Sequence, residues 1–201
     1  DSPIGLSEGF DKDANLLDIL PSVGFGFTQV GTVTLNSYEG NPKPRLTRLP
    51  KQKGLVVYYG LKNIGALKII KKLKNKRFAF PFSVSIGKTN AEYTSKPSAG
   101  IKDYVDCLEL FNKAKVGDFY TLNISCPNTF GGEPFTNQKD LNNLLKEVVK
   151  LRVNKPIFVK MPINMPWEEF EKLLQIIIKF KLQGVIIGNL NKQATPKGMK
   201  G

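Results

Sequence analysis

With 201 residues, 41% of them hydrophobic and 10% aromatic, the chain can bury a substantial core, and its length suits one domain spanning residues 1–201. Thirty Lys and Arg against 17 Asp and Glu give a formal charge of +13, which suits an RNA, an anionic membrane surface or an anionic small substrate without choosing among them. The absence of histidine excludes any histidine-dependent triad, and two cysteines nineteen positions apart exclude zinc-finger spacing.

The chain reads as alternating strands and helices. "DSPIGLSEGF" has no basic segment followed by an apolar core, so no signal peptide is read there. It opens as though already inside a strand, placed at Ile4–Gly9, and a helix is expected over Asp13–Ser22. Further strands are expected at Phe27–Val33, Phe82–Ile86, Phe119–Ser125, Ile157–Met161 and Gly184–Gly188. Helices are expected at Gly65–Lys74, Ile101–Lys113, Gln138–Arg152 and Pro166–Phe180. In the last, Pro166 suits a helix start, Glu168 and Glu169 sit in the positive first turn, and Phe170, Leu173, Leu174, Ile177 and Ile178 follow helical spacing. The basic run "IIKKLKNKR" is read as a solvated helix face rather than a nucleic-acid site. One insertion, Leu35–Gly54, is too long for a plain connection, and its central "EGNP" suggests a turn or hairpin over the top of the sheet. No apolar run approaches the roughly 18 residues of a membrane span.

Apolar strands such as "PIFVKM" and "GVIIGN" in repeated βα units require a parallel sheet covered by helices. An open doubly wound sheet and a closed TIM (β/α)8 barrel both satisfy that, and both collect chemistry at the carboxyl ends of the strands. Those ends read "GFDK", "GTVT", "SIGK", "NISCPN", "VKMP" and "IGNLN", polar on every strand, which favours the barrel. About six βα units are countable where a barrel has eight, so the chain is expected to be a fragment of a longer protein.

The segments "GFDK", "GFGFTQVGTVT", "EGNPKPRLTRLP", "NISCPN", "VKMP" and "IIGN" stand together in an order and spacing that resemble the catalytic barrel of the dihydroorotate dehydrogenases. The resemblance covers nearly the whole chain. It implies FMN as cofactor and oxidation of dihydroorotate to orotate in pyrimidine (UMP) biosynthesis, with hydride passed to FMN and Cys126 as the base. A thiolate can take a proton where nearby positive charge favours it. Asn63, Asn123, Asn128 and Asn189 match pyrimidine-binding asparagines, amides being suited to a planar ring that both donates and accepts. Lys12 and Lys160 match lysines that contact flavin or substrate, Lys12 serving both, and an ammonium there stabilises charge that builds up on reduction. Thr32, Ser85 and Asn123 are further flavin contacts. Cys107, on the apolar face of its helix, is read as core.

The resemblance is mixed as to branch. Cys126 and Asn63 point to the soluble members, whereas "GFDKDANLLDILPSVGFGF" resembles the quinone-using ones; Lys62, Ser85 and Gly188 replace residues typical of the latter. The electron acceptor is accordingly fumarate, quinone or NAD. A cytoplasmic location is expected, with peripheral membrane association if the acceptor is quinone; no nucleic-acid partner is expected, and a homodimer is considered. The family's flavin-phosphate loops follow its seventh and eighth strands, so the 201-residue segment by itself is expected to hold FMN poorly. Two alternatives stand beside this reading: a dihydrouridine synthase-like FMN enzyme acting on tRNA, against which Ser125 and the "EGNPKPR" segment count, and a non-catalytic truncated barrel.

Overall fold

In the computed structural model, which describes residues 2–188 and 190–200, six parallel strands form one sheet in the order β1-β2-β5-β6-β7-β8. These are β1 (Gly5–Leu6), β2 (Phe27–Val33), β5 (Phe82–Ile86), β6 (Phe119–Asn123), β7 (Ile157–Met161) and β8 (Gly184–Ile187). A separate antiparallel hairpin pairs β3 (Leu46–Leu49) with β4 (Gly54–Val57). Four helices, α1 (Ala66–Leu73), α2 (Pro97–Ala114), α3 (Gln138–Lys150) and α4 (Trp167–Lys179), fall in the gaps between strands. Apart from the hairpin, neighbours in space are neighbours in the chain. A doubly wound sheet reverses its order at a switch point, and a barrel does not, so the topology sides with the barrel.

The core explains why these segments take these forms. β2, β5 and β6 are buried on both faces, as expected of parallel strands beneath helices. α3 contributes Leu141, Leu144, Leu145 and Val148, and α4 contributes Phe170, Leu173 and Ile177, each set at helical spacing against the sheet. Asn137 caps α3 by accepting from the Asp140 amide at 2.9 Å. Cys107 is fully buried within this core.

Several boundaries differ from the sequence reading for local reasons. No α-helix forms over Asp13–Ser22. Instead the Asp11 carboxylate accepts from the amides of Asn15 (2.7 Å) and Leu16 (3.0 Å), Ala14 has a positive φ of 55°, and only a short 3-10 turn at Leu20–Val23 follows. Side-chain acceptors here outcompete the helix for its amides, while Leu17 and Leu20 still reach the core. The first strand is confined to Gly5–Leu6 and passes into a 3-10 turn at Glu8–Phe10. β6 stops at Asn123, whose Oδ1 accepts from the Ser125 amide and hydroxyl, both at 3.2 Å, and turns the chain. α2 begins four residues earlier than expected, at Pro97, a residue suited to the first turn. In the insertion, the hairpin turn is Pro50–Lys53 rather than "EGNP", and its second strand runs on to Val57. The "EGNP" segment is a loop into which Arg45 folds, donating to the carbonyls of Asn41 and Gly40.

Candidate active site

A cleft of about 900 Å³ opens where the carboxyl ends of the strands meet the hairpin. Its size is at the upper end for small-molecule sites. Of the residues expected from sequence to act, Lys12, Thr32, Asn123, Cys126, Asn128 and Lys160 line it together. They come from four strand ends or the loops that follow them, so only the folded sheet brings them to one place.

The floor is a buried polar chain. Asn123 Nδ2 donates to Thr32 Oγ1 at 2.7 Å, and Thr32 Oγ1 lies 2.9 Å from Ser85 Oγ. Ser85 is fully buried one layer behind Thr32 and does not line the cleft. Gly31 forms part of the wall with φ 118°; a Cβ there would fall 2.5 Å from the Val33 amide nitrogen and 2.8 Å from the Ser85 carbonyl oxygen. The Cβ position is thus taken by the backbone of β2 and β5, so only glycine fits at this point of the wall, and it presents backbone alone there.

Asn128 carries the sharpest signal. Its Nδ2 donates to the Val57 carbonyl at 3.0 Å, and its own carbonyl accepts from Asn41 Nδ2 at 3.0 Å, but its Oδ1 is buried without a partner. A buried acceptor without a donor is costly, so Asn128, which lines the cleft, has a bond to gain by turning its amide toward a ligand N–H. Asn63 is placed differently. Its side chain donates to Thr34 Oγ1 (2.7 Å) and the Leu61 carbonyl (2.8 Å) and accepts from the amides of Gly65 (2.8 Å) and Thr34 (3.3 Å). It does not line the cleft, and its four bonds fix the turn before α1. Asn189 lies outside the described residues.

Cys126 is half-buried on the loop after β6. Two lysines interact with it electrostatically. Burial pulls the Lys12 ammonium below the ordinary lysine pKa, and negative charge on Glu8, Cys126 and Asp13 partly offsets this. Lys88 is likewise lowered by burial and partly restored by Cys126 and Asp103. The interaction is mutual: an ammonium at either lysine stabilises a thiolate at Cys126. Lys12 also donates to the Gly9 carbonyl at 2.7 Å and lies 4.6 Å over the Tyr59 ring.

Sequence reasoning missed Glu8, Lys88, Asn90, Asn41 and Asp103, all buried. Glu8 lines the cleft and pairs with Lys160 at 2.6 Å. Lys88 donates to the Phe130 carbonyl, and Asn90 Oδ1 accepts from the Phe130 amide, each at 2.6 Å, so the loop after β5 holds the loop that carries Cys126. Signals were present. Glu8 shares the period-2 face of Leu6, and Asp103 stands four residues before Cys107 on the apolar face of α2; an acid in either place must find a partner.

The cleft at the strand ends gathers a thiol, amides and lysines, a set of groups suited to a small polar molecule. The profile of the Dihydroorotate dehydrogenase family matches residues 1–200, and the chain belongs to that family. It is 35% identical over 193 residues to "Dihydroorotate dehydrogenase (quinone)" of Trichodesmium erythraeum, covering 94% of this chain and 50% of that protein. The enzyme of the same name from Haloarcula marismortui is 35% identical over 189 residues, covering 94% and 52%. The fold resembles the crystal structure of DHODH from Eimeria tenella in complex with ferulenol, with TM-score 0.84 at 23% identity over 94% of this chain and 56% of that one. The ligand-free form from the same organism gives TM-score 0.79 at 23% identity. The chain thus spans about half the length of the curated relatives, and its sheet is a six-stranded stretch of a (β/α)8 barrel. Among the described residues no helix is long and apolar enough to cross a membrane.

Proposed function

We propose that the full-length protein oxidises dihydroorotate to orotate for pyrimidine synthesis, with residues 1–201 as a single catalytic domain carrying the base and most of the substrate contacts. The observation that carries the reading is Asn128 Oδ1, buried and without a donor in the wall shared by Cys126, Asn123 and the two lysines. The residues fit FMN. Bare backbone at Gly31, the hydroxyl of Thr32 and the amide of Asn123 offer a flat polar bed, and Lys12 and Lys160 offer positive charge beside it. FMN bound there supplies the two-electron acceptor that oxidation of a CH–CH bond requires.

The chain's own residues do the rest. Asn128 Oδ1 accepts from a ring N–H, and Asn123 keeps an amide hydrogen beyond the one given to Thr32. Lys12 offers its ammonium to the anionic substrate carboxylate. Cys126, as thiolate, takes the proton from the carbon beside the carbonyl while Lys12 and Lys88 balance its charge. Asn63 and Ser85 contribute by holding the walls, Asn63 at the turn before α1 and Ser85 behind Thr32.

Quinone is the acceptor to test first. It is named in the relatives above, and Phe10, Leu46 and Leu55 put exposed apolar side chains on the cleft wall, which suit an apolar acceptor better than fumarate or NAD. A cytoplasmic protein of formal charge +13 would then meet an anionic membrane surface peripherally. Family membership counts against the dihydrouridine synthase-like reading. The experiment is anaerobic reduction of bound flavin by dihydroorotate, followed by reoxidation with quinone, fumarate and NAD in parallel; a protein that takes up no flavin would favour the non-catalytic barrel.

A further inference from the structure

Among the described residues, three of the four ion pairs are exposed and lie within one turn of a helix. The fourth is of another kind. Glu8 Oε1 and Lys160 Nζ meet at 2.6 Å with side chains only 5% and 10% exposed, and they join the turn after β1 to β7 across 152 positions of the chain. Both residues line the cleft. Burying two charges is expensive, and an apolar pair of similar volume often serves stability as well or better, so stability alone does not account for it. Ser7 Oγ donates to the other carboxylate oxygen, Oε2, at 3.0 Å, which holds Glu8 as an acceptor, and Glu8 also acts electrostatically on Lys12.

The geometry points to Glu8 as a positioning residue that sets the redox poise of the flavin by holding and partly neutralising Lys160. This rests on the flavin reading above. Reduced flavin is more negative at its pyrimidine edge than oxidised flavin, so an uncompensated ammonium at the cleft floor favours the reduced form. A carboxylate bonded to that ammonium diminishes the preference. Glu8 therefore keeps bound FMN a weaker oxidant than Lys160 alone would make it, and it fixes the direction of the lysine head group.

The test is the midpoint potential of FMN in the full-length holoenzyme at neutral pH, read with reference dyes, together with the affinity of the bound flavin for sulfite, which rises with positive charge near the same edge. For Glu8→Gln the reduced-to-oxidised binding ratio should rise by about tenfold, about 30 mV for a two-electron couple, and sulfite should bind more tightly. Glu8→Asp keeps the charge and should stay near wild type. In a Lys160→Gln background the effect of Glu8→Gln should vanish, because Glu8 acts through that ammonium. If Glu8→Gln does not fold, Glu8→Ala, which leaves room for water beside Lys160, gives the same readout. A potential that is unchanged or lower in the Glu8 variant would overturn this inference and leave the flavin reading standing. A wild-type protein that binds no flavin would overturn both.

Discussion

Cys126 interacts electrostatically with Lys12 and Lys88, whose ammoniums favour its thiolate, and the proposed role as base rests on that setting more than on the thiol itself. Cys126→Ala should leave fold and flavin intact and slow flavin reduction by about 10²–10⁴-fold, measured by stopped-flow absorbance. Cys126→Ser should fall between the two, since a hydroxyl needs a stronger proton relay. For Asn128 the prediction is about affinity. Asn128→Ala removes the unpartnered Oδ1 and should weaken dihydroorotate binding by about 1–3 kcal/mol, read by titration of the oxidised flavin spectrum, while flavin occupancy stays unchanged; equal affinity would make Asn128 a loop residue that merely bonds Val57. That both side chains reach the cleft was legible in "NISCPN", because the motif places both beside one strand end. Asn63 was legible only as an amide. Two of its four bonds are local, to Leu61 and Gly65 two residues away on either side, but the other two depend on Thr34 arriving from the end of β2, which no local pattern reveals.

Among the secondary-structure elements the strands were the most readable, and β2, β5 and β7 have the bounds their apolar runs imply, whereas β6 stops two residues early at Asn123. Asp13–Ser22 failed for a physical reason: its apolar spacing is helical, but the Asp11 carboxylate takes the amides that a helix would need. The partnership between α2 and the loop after β5 was equally invisible. Asp103 on α2 accepts from the Thr89 amide (2.7 Å) and hydroxyl (3.1 Å) and from the Tyr93 hydroxyl (3.2 Å), securing the loop that carries Lys88. Burial raises the Asp103 pKa above the ordinary carboxylate value, and these hydrogen bonds only partly oppose it. The native state then binds this proton more tightly than the unfolded chain. The Asp103 contribution to stability is therefore fully present below about pH 4, the unfolded value, and is lost as pH rises through the higher native pKa. Asp103→Asn should flatten that part of the stability profile in urea titrations run across acidic pH; an unaltered profile would show that Asp103 ionises as it does in the unfolded chain.

Across the assembled sheet, polar strand ends converge on one cleft while the opposite ends of the strands take no part in it. The barrel was legible because every strand end is polar and no phosphate-binding glycine motif follows the first strand. The strand order then excluded the doubly wound alternative. At its edges, β1 and β8 each have one strand neighbour among the described residues, and Ile187 on β8 is 69% exposed. The 201 residues expressed alone should therefore lose FMN during gel filtration, whereas the full-length protein should keep it; stoichiometric retention by the 201 residues would show that the described cleft suffices for the cofactor.

All of this converges on anaerobic mixing of the full-length, FMN-loaded protein with dihydroorotate in a stopped-flow spectrometer. The flavin absorbance should bleach to the two-electron-reduced spectrum with a rate that saturates in dihydroorotate and rises with pH as the Cys126 thiolate forms, and orotate should appear in equal amount. A loaded flavin that dihydroorotate leaves oxidised, or a Cys126→Ala variant reduced at the wild-type rate, would contradict the reading of this cleft as the site where Cys126 takes the proton.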